Sequence, residues 1–231
     1  MIQISNLIKK YGETVIFSNL NYTFENTCIY GLVGRNGAGK TTLLNILSNY
    51  DKNYTGVISI DGEKMNKVDY PDMPVAYAMD QPSFFNELTI YENLLLIASS
   101  RKIKKQEAFD KIERILDGLG LKKYENYSPL ELSKGTMQRL NNACAMIQEE
   151  KITIFDEPFS GLDPVQMKLL ENVIVEFHKK EKGIYIISSH DIECLQNVCD
   201  KCLLLHNGQI REINMEEVDR EEIAKILSEG E

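Results

Sequence analysis

Apolar and polar positions alternate through the opening of the chain, and the alternation predicts short strands at Ile2–Ile4, Val15–Phe17 and Leu20–Phe24. The all-apolar run Cys28–Val33 reads as a further strand, and Leu43, Leu44 and Leu47 mark a helix after it. Gly56–Ile60 is a strand closed by the turn pair Asp61-Gly62, and Val75–Met79 is another, running into Asp80-Gln81-Pro82. From Glu87 the period lengthens to that of a helix. Thr89 and Glu92 have capping-box spacing ahead of Leu94, Leu95 and Ile97. A second helix is expected over about 104–118, with Ala108, Ile112, Ile115 and Leu116 on one face and Gly118 and Gly120 stopping it.

Ser133 then stands as the cap of a helix carrying Leu140, Ala143, Cys144 and Ile147. After it strands and helices alternate: strand Ile152–Phe155, helix Pro164–Lys180, strand Ile184–Ser188, a helix to about Val198, and strand Cys202–His206. Asn207-Gly208 suits a tight hairpin, and an acidic helix is expected to close the chain. The pattern as a whole predicts an α/β fold, one domain over 1–231, interrupted by a helical insertion at about 83–148.

Composition changes this picture little. With 231 residues the chain can bury a substantial core. A formal net charge of −9 argues against a nucleic-acid surface, which carries a basic excess. No run approaches the roughly 20 apolar residues that span a bilayer, and the N-terminus lacks the pattern of a signal peptide. A cytoplasmic protein is therefore expected, one that reaches a membrane through a partner. Five cysteines are read as free thiols; the spacing of Cys194, Cys199 and Cys202 also suits an iron–sulfur cluster, but Cys202 opens an apolar strand.

The chemistry is concentrated at Gly34-Arg35-Asn36-Gly37-Ala38-Gly39-Lys40-Thr41-Thr42. This fits the phosphate-binding loop G-x-x-x-x-G-K-[ST], in the strand–loop–helix setting the motif requires. The glycines let backbone N–H groups curl around a phosphate at a helix N-terminus. Lys40 would reach the β- and γ-phosphates, and the Thr41 hydroxyl would ligate Mg²⁺. Downstream, the apolar strand Ile152–Phe155 ends at Asp156-Glu157-Pro158. Asp156 is placed to hold Mg²⁺ through water and Glu157 to polarise an attacking water. Two fragments imitate guanine-nucleotide motifs: Asn66-Lys67-Val68-Asp69 and Asp117-Gly118-Leu119-Gly120. They occur in reversed order and neither ends an apolar strand, so one reads as a surface loop, the other as a helix C-terminus, and adenine as the base.

With further motifs in order, the chain resembles the nucleotide-binding subunits of ATP-binding-cassette (ABC) transporters, of the bacterial exporter type. Tyr11 precedes the loop, Gln81 follows a strand, and Leu132-Ser133-Lys134-Gly135-Thr136 stands where the family has L-S-G-G-Q. Gly161-Leu162-Asp163 and His190 after Ser188-Ser189 complete the set. The resemblance implies a P-loop NTPase (RecA-like) core with an antiparallel β subdomain and an inserted helical subdomain. It implies that Tyr11 stacks on adenine, that Asn36, Gly37, Ala38 and Thr42 join the loop contacts to ATP, and that Gln81 contacts Mg²⁺ and a membrane subunit. It further implies that Ser133, Lys134, Gly135 and Thr136 face ATP held by a partner cassette, that Asp163 couples two sites and that His190 contacts the γ-phosphate. Catalytic roles fall to Glu157, His190 and Lys40.

Two departures stand out. Lys134 replaces a glycine, and either adds charge at the phosphate or points to solvent. Thr136 replaces the glutamine and is too short to copy a contact to ribose. Phe84 and Phe85, just past Gln81, either face a groove for a membrane subunit or pack; packing is the expectation. The resemblance implies a homodimer or a heterodimer with a second ABC ATPase, ATP and Mg²⁺ as cofactors, a polytopic membrane subunit as partner, and export of a peptide, antibiotic or lipid-like substrate. The same layout also occurs in soluble members that serve iron–sulfur cluster assembly.

Overall fold

A computed structural model describes residues 1–68 and 72–214, the Asn66 side chain excepted. The strands are β1 (Ile2–Tyr11), β2 (Thr14–Phe24), β3 (Cys28–Val33), β4 (Thr55–Ile60), β5 (Glu63–Lys64), β6 (Val75–Ala78), β7 (Ile152–Phe155), β8 (Ile184–Ser189), β9 (Lys201–His206) and β10 (Gln209–Ile213). The α-helices are α1 (Lys40–Leu47), α2 (Ile90–Ser100), α3 (Lys105–Gly118), α4 (Lys134–Met146) and α5 (Pro164–Glu181). The chain divides into two compact units, one made of Met1–Met73 with the chain from Gly183 on, the other of Pro74–Lys182. The acidic segment read as a closing helix lies outside the described residues.

In the first unit an antiparallel sheet runs in the order β2-β1-β4-β5. β1 and β2 are longer than the alternation predicts, because a bulge at Asn6 shifts the phase. Ile2 and Ile4 face inward before it and Leu7 and Lys9 after it, so the apolar spacing of two breaks once. Asn6 itself is left-handed at φ 52°, and its N–H donates to Asn21 Oδ1 at 2.8 Å. The same unit holds β3 between parallel neighbours β8 and β9, with β10 antiparallel on β9. Flanking strands on both edges explain why every residue of β3 is buried. The β9–β10 turn puts Asn207 and Gly208 both at positive φ, 49° and 70°, as a two-residue hairpin of this hand requires.

The segment after β8 corrects the expected helix to Val198. Only one short 3₁₀ turn forms, at Glu193–Leu195. Local side chains compete for the backbone: Ser189 Oγ accepts the Asp191 N–H at 3.0 Å and Asp191 Oδ1 accepts the Glu193 N–H at 2.8 Å. The Asp200 carboxylate then ties the segment back to the Ile29 N–H at 2.8 Å.

In the second unit β6 and β7 pair in parallel, Val75 with Ile152 through Ala78 with Phe155. Thr89 and Glu92 form the capping box of α2 and Ser133 caps α4, as the sequence spacing predicts. Lys111 on α3 is buried, with its amine 2.8 Å from Glu149 and 2.9 Å from Glu181. One cation thereby joins α3, the segment after α4 and the end of α5, while its stem adds apolar packing. A buried ammonium is tolerated only when so paired.

Candidate nucleotide site

In the first unit the phosphate loop leaves the carboxyl end of the central strand β3, where α/β sheets bind ligands. Gly37 and Gly39 adopt φ 80° and 100°, which turn successive amides toward one side. Gly39 is the N-cap of α1 and supplies no side-chain hydrogen bond, and no acidic residue stands in the first turn. The amides at the start of α1 thus keep their capacity for an anion, and the helix dipole adds to it. A Cβ at Gly39 would stand 2.8 Å from Ile16 Cγ2 and 3.2 Å from the Phe17 ring, so the loop packs too closely on β2 for any other residue. Lys40 is buried, with Nζ donating to the Gly34 carbonyl at 2.7 Å. Asn36 and Thr41 are exposed at the loop surface, and Ala38 and Thr42 are half-buried.

Tyr11 ends β1 at 51% exposure, its hydroxyl donating to Asp51 Oδ2 at 3.2 Å and Lys9 Nζ lying 4.5 Å from the ring centroid. Lys9 is itself buried and pairs with Asp51 at 2.6 Å. Desolvation works against the Asp51 carboxylate, but the Lys9 hydrogen bond and charge, the Asn53 N–H and the Tyr11 hydroxyl together outweigh it and hold the carboxyl below its usual range. The result is an aromatic ring fixed in direction yet open to a stacking ligand. A pocket of about 370 Å³ opens beside the loop, between Val15 and Ile16 of β2, Arg35, Gly37 and Ala38, and the turn at His206. His190 is exposed directly after β8. These features fit ATP: bare helix amides, a lysine directed into the loop, and an exposed ring upstream.

The second unit carries the acidic and signature residues. Asp156 follows β7, is buried, and accepts from the Tyr77 hydroxyl at 3.4 Å. Glu157 is left-handed at φ 49°, a conformation that costs a non-glycine residue on the order of 1–3 kcal/mol. Its carbonyl accepts from Gln138 Nε2 at 3.3 Å. Gln81 is exposed in the loop after β6. Buried carboxylate and exposed amide together are the donor set expected for a hydrated Mg²⁺.

Three polar side chains on α4 escaped the sequence reading. Besides Gln138, Asn141 Nδ2 donates to the Met79 carbonyl at 2.7 Å and Asn142 Nδ2 to the Pro158 carbonyl at 3.2 Å. The signature helix thus grips the backbone of both the Gln81 loop and the Glu157 loop. The available signal was amides at positions 138, 141 and 142, the spacing of one helix face, where apolar residues would otherwise be needed.

Around the signature, Ser133 Oγ caps α4 by accepting the Thr136 N–H at 3.3 Å, and Thr136 is buried rather than presented outward. Gly135 sits where a Cβ would meet the Gly161 carbonyl oxygen at 3.0 Å and Gln166 Oε1 at 3.1 Å. The stem of Lys134 runs over Gly161 and the residue is exposed. Asp163 caps α5, accepting the Gln166 N–H at 2.9 Å.

Four of the five cysteines pack as apolar groups, while the half-buried Cys194 Sγ donates to Asp191 Oδ2 at 3.5 Å. Burial pushes the thiol of Cys28 up to about 11, those of Cys144 and Cys202 up to about 12, and that of Cys199 well above its ordinary value. Cluster ligation needs thiolates, which these surroundings oppose.

A model of the family described as "ABC transporter" matches residues 17–160. The tungstate uptake system ATP-binding protein TupC of Peptoclostridium acidaminophilum is 30% identical over 211 residues, 91% of this chain and 97% of that protein. The bacitracin transport ATP-binding protein BcrA of Enterococcus faecalis is 30% identical over 222 residues, 95% of this chain and 71% of that protein. Among solved structures, an ATP binding subunit of an ABC transporter matches with a TM-score of 0.85 at 26% identity, covering 98% of this chain and 94% of that one. By the family match over more than half its length and by these relatives, the chain belongs to the ABC transporter family, as an ATPase subunit that binds ATP.

Proposed function

We propose that the chain is the ATP-hydrolysing subunit of an exporter, working in a pair of cassettes against a separate membrane-spanning subunit. Two cassettes would hold ATP between one loop at Gly34–Thr42 and the other's Ser133–Thr136. Glu157 would orient the attacking water, and closing and reopening of the pair would move the membrane partner. None of the described helices is long and apolar enough to cross a membrane, so the membrane-spanning part falls to that partner.

The observation that carries the membrane partner is an apolar patch on the second unit. Phe85, Tyr127 and Leu130 are 58%, 45% and 73% exposed. Phe85 thus departs from the expected packing, because Asn93 holds its backbone at both ends and leaves the ring outside: Asn93 Oδ1 accepts the Phe85 N–H and Nδ2 donates to the Phe85 carbonyl, both at 3.0 Å. The two segments lie side by side, stitched by Ile90 N–H to the Tyr127 carbonyl at 2.9 Å and Ser128 Oγ to the Asn86 carbonyl at 2.8 Å. Exposed aromatic and aliphatic side chains on a hydrogen-bonded, rigid frame suit an apolar cytoplasmic helix of a membrane subunit.

The export direction rests on the Ser133-Lys134-Gly135 and Gly161-Leu162-Asp163-Pro164 segments and on likeness to a bacitracin transport protein, whereas the tungstate uptake relative is equally similar. The test is co-purification from detergent-solubilised membranes, comparing the native chain with Phe85→Glu/Leu130→Glu. A stoichiometric polytopic protein, lost in the variant while ATP affinity is kept, is the expected result. Soluble partners alone would turn the reading to a soluble assembly role. With that subunit reconstituted in inside-out vesicles, ATP-driven accumulation of substrate supports export and ATP-driven depletion overturns it.

A further inference from the structure

At the start of α4 three side chains form a line of hydrogen bonds that ends on Ser133. Arg139 is buried, and its Nη1 donates to the Leu119 carbonyl at 2.6 Å and to the Gly120 carbonyl at 3.3 Å. Those carbonyls close α3, the negative end of its dipole, which suits a guanidinium. Nη2 of Arg139 donates to Thr136 Oγ1 at 3.3 Å, and Thr136 Oγ1 lies 2.9 Å from Ser133 Oγ.

The direction of this line follows from donor and acceptor counts. A guanidinium has five N–H groups and no acceptor, so Arg139 can only give to Thr136. Thr136 is 3% exposed, and Ser133 Oγ is the acceptor within reach of its hydroxyl proton. Were Ser133 to donate instead, the Thr136 proton would be buried without a partner, the costlier arrangement. Ser133 Oγ therefore takes two donors, the Thr136 N–H and the Thr136 hydroxyl. Its own proton is left to point away from the helix, and Ser133 is exposed.

We propose that Thr136 and Arg139 are positioning residues that aim the Ser133 hydroxyl outward as a donor to the γ-phosphate carried by the partner cassette. The proposal rests on the paired-cassette reading above. It gives the residue that stands in place of the family's glutamine an inward task, and it makes the outward donor conditional on the far end of α3.

The test is a double-mutant cycle on ATP-dependent pairing, in a Glu157→Gln background that slows turnover. Sedimentation gives the dimer dissociation constant, and a fluorescent ATP analogue at low protein concentration gives the affinity of the single cassette. Thr136→Val is expected to weaken pairing about tenfold, the scale of one hydrogen bond to a charged group. Single-cassette affinity is expected to stay unchanged, and Thr136→Ser to restore pairing. In a Ser133→Ala background Thr136→Val should cost nothing further. Melting temperatures are taken alongside, because the valine leaves Arg139 one acceptor short; a merely structural role would lower melting and pairing in both backgrounds alike. Undiminished pairing by Thr136→Val, no rescue by serine, or a full tenfold loss in the Ser133→Ala background each overturns the proposal. A parent protein that binds the analogue but never pairs with ATP overturns the paired-cassette reading itself, and this proposal with it.

Discussion

Two helices of this chain carry a glycine at or near their starts, Gly39 before α1 and Gly135 in the first turn of α4, and they treat those first turns in opposite ways. α1 starts behind Gly39, which has no side-chain oxygen to accept from its first-turn amides. α4 starts behind Ser133, whose oxygen already takes the Thr136 amide. Each N-terminus carries roughly half a positive charge, so the dipole does not distinguish them. What differs is who consumes the donors. A bare N-terminus can surround a phosphate with several N–H groups, and so binds tightly on its own. A capped one has little left beyond an outward hydroxyl, and so contributes only when another molecule brings the phosphate to it. In the proposed function one loop would hold the phosphate and the other would report it.

The comparison can be broken by experiment. The largest effect is expected from Glu157→Gln, which removes the proposed base while leaving both helix starts intact. ATP hydrolysis should fall on the order of 1,000-fold with nucleotide affinity retained, measured by phosphate release beside a binding titration. Hydrolysis at the native rate would move the base elsewhere. Next comes Gly39→Ala. The methyl would stand 2.8 Å from Ile16 Cγ2 at a backbone φ of 100°, so the bare N-terminus must distort. ATP affinity should drop roughly 100-fold by calorimetry; an unchanged affinity would mean that the α1 amides are not the holding element. The smallest effect is expected from Ser133→Ala. Loss of one cap costs about 1 kcal/mol, a fall in melting temperature of about 2–4 °C. The affinity of a single cassette for ATP should not change, and if it did, the division between holding and reporting would fail.

The phosphate loop is readable in sequence because its motif encodes a conformation: glycines at 37 and 39 are what left-handed turns require. The caps at Thr89 and Ser133 are readable for the same reason, since side-chain oxygen at a fixed spacing has one local use. Features that depend on distant chain are not. The bulge at Asn6 reverses the inward face of β1 midway, and no local propensity announces it. Helical spacing after His190 loses to two short side chains that capture the backbone first. Nothing in a glutamate signals the left-handed backbone of Glu157, which is held in part through its carbonyl by Gln138. Phe85 looks like core in sequence, yet Asn93 turns its segment outward.

The close approach of Gly135 to the Gly161 carbonyl, with the Lys134 stem laid over Gly161, has a consequence for how this chain can drift. A methyl at 135 would need the carbonyl at 161 to give by a few tenths of an ångström, and 161 is itself left-handed at φ 74°. Position 135 is thus tied to a segment 26 residues away, whereas a Cβ at 161 would meet only the Lys134 stem, at 3.8 Å, and is opposed by its own backbone instead. A larger residue at 135 should therefore be accepted only where the 161 segment shifts with it, so the freedom of one site is set by a turn far along the chain.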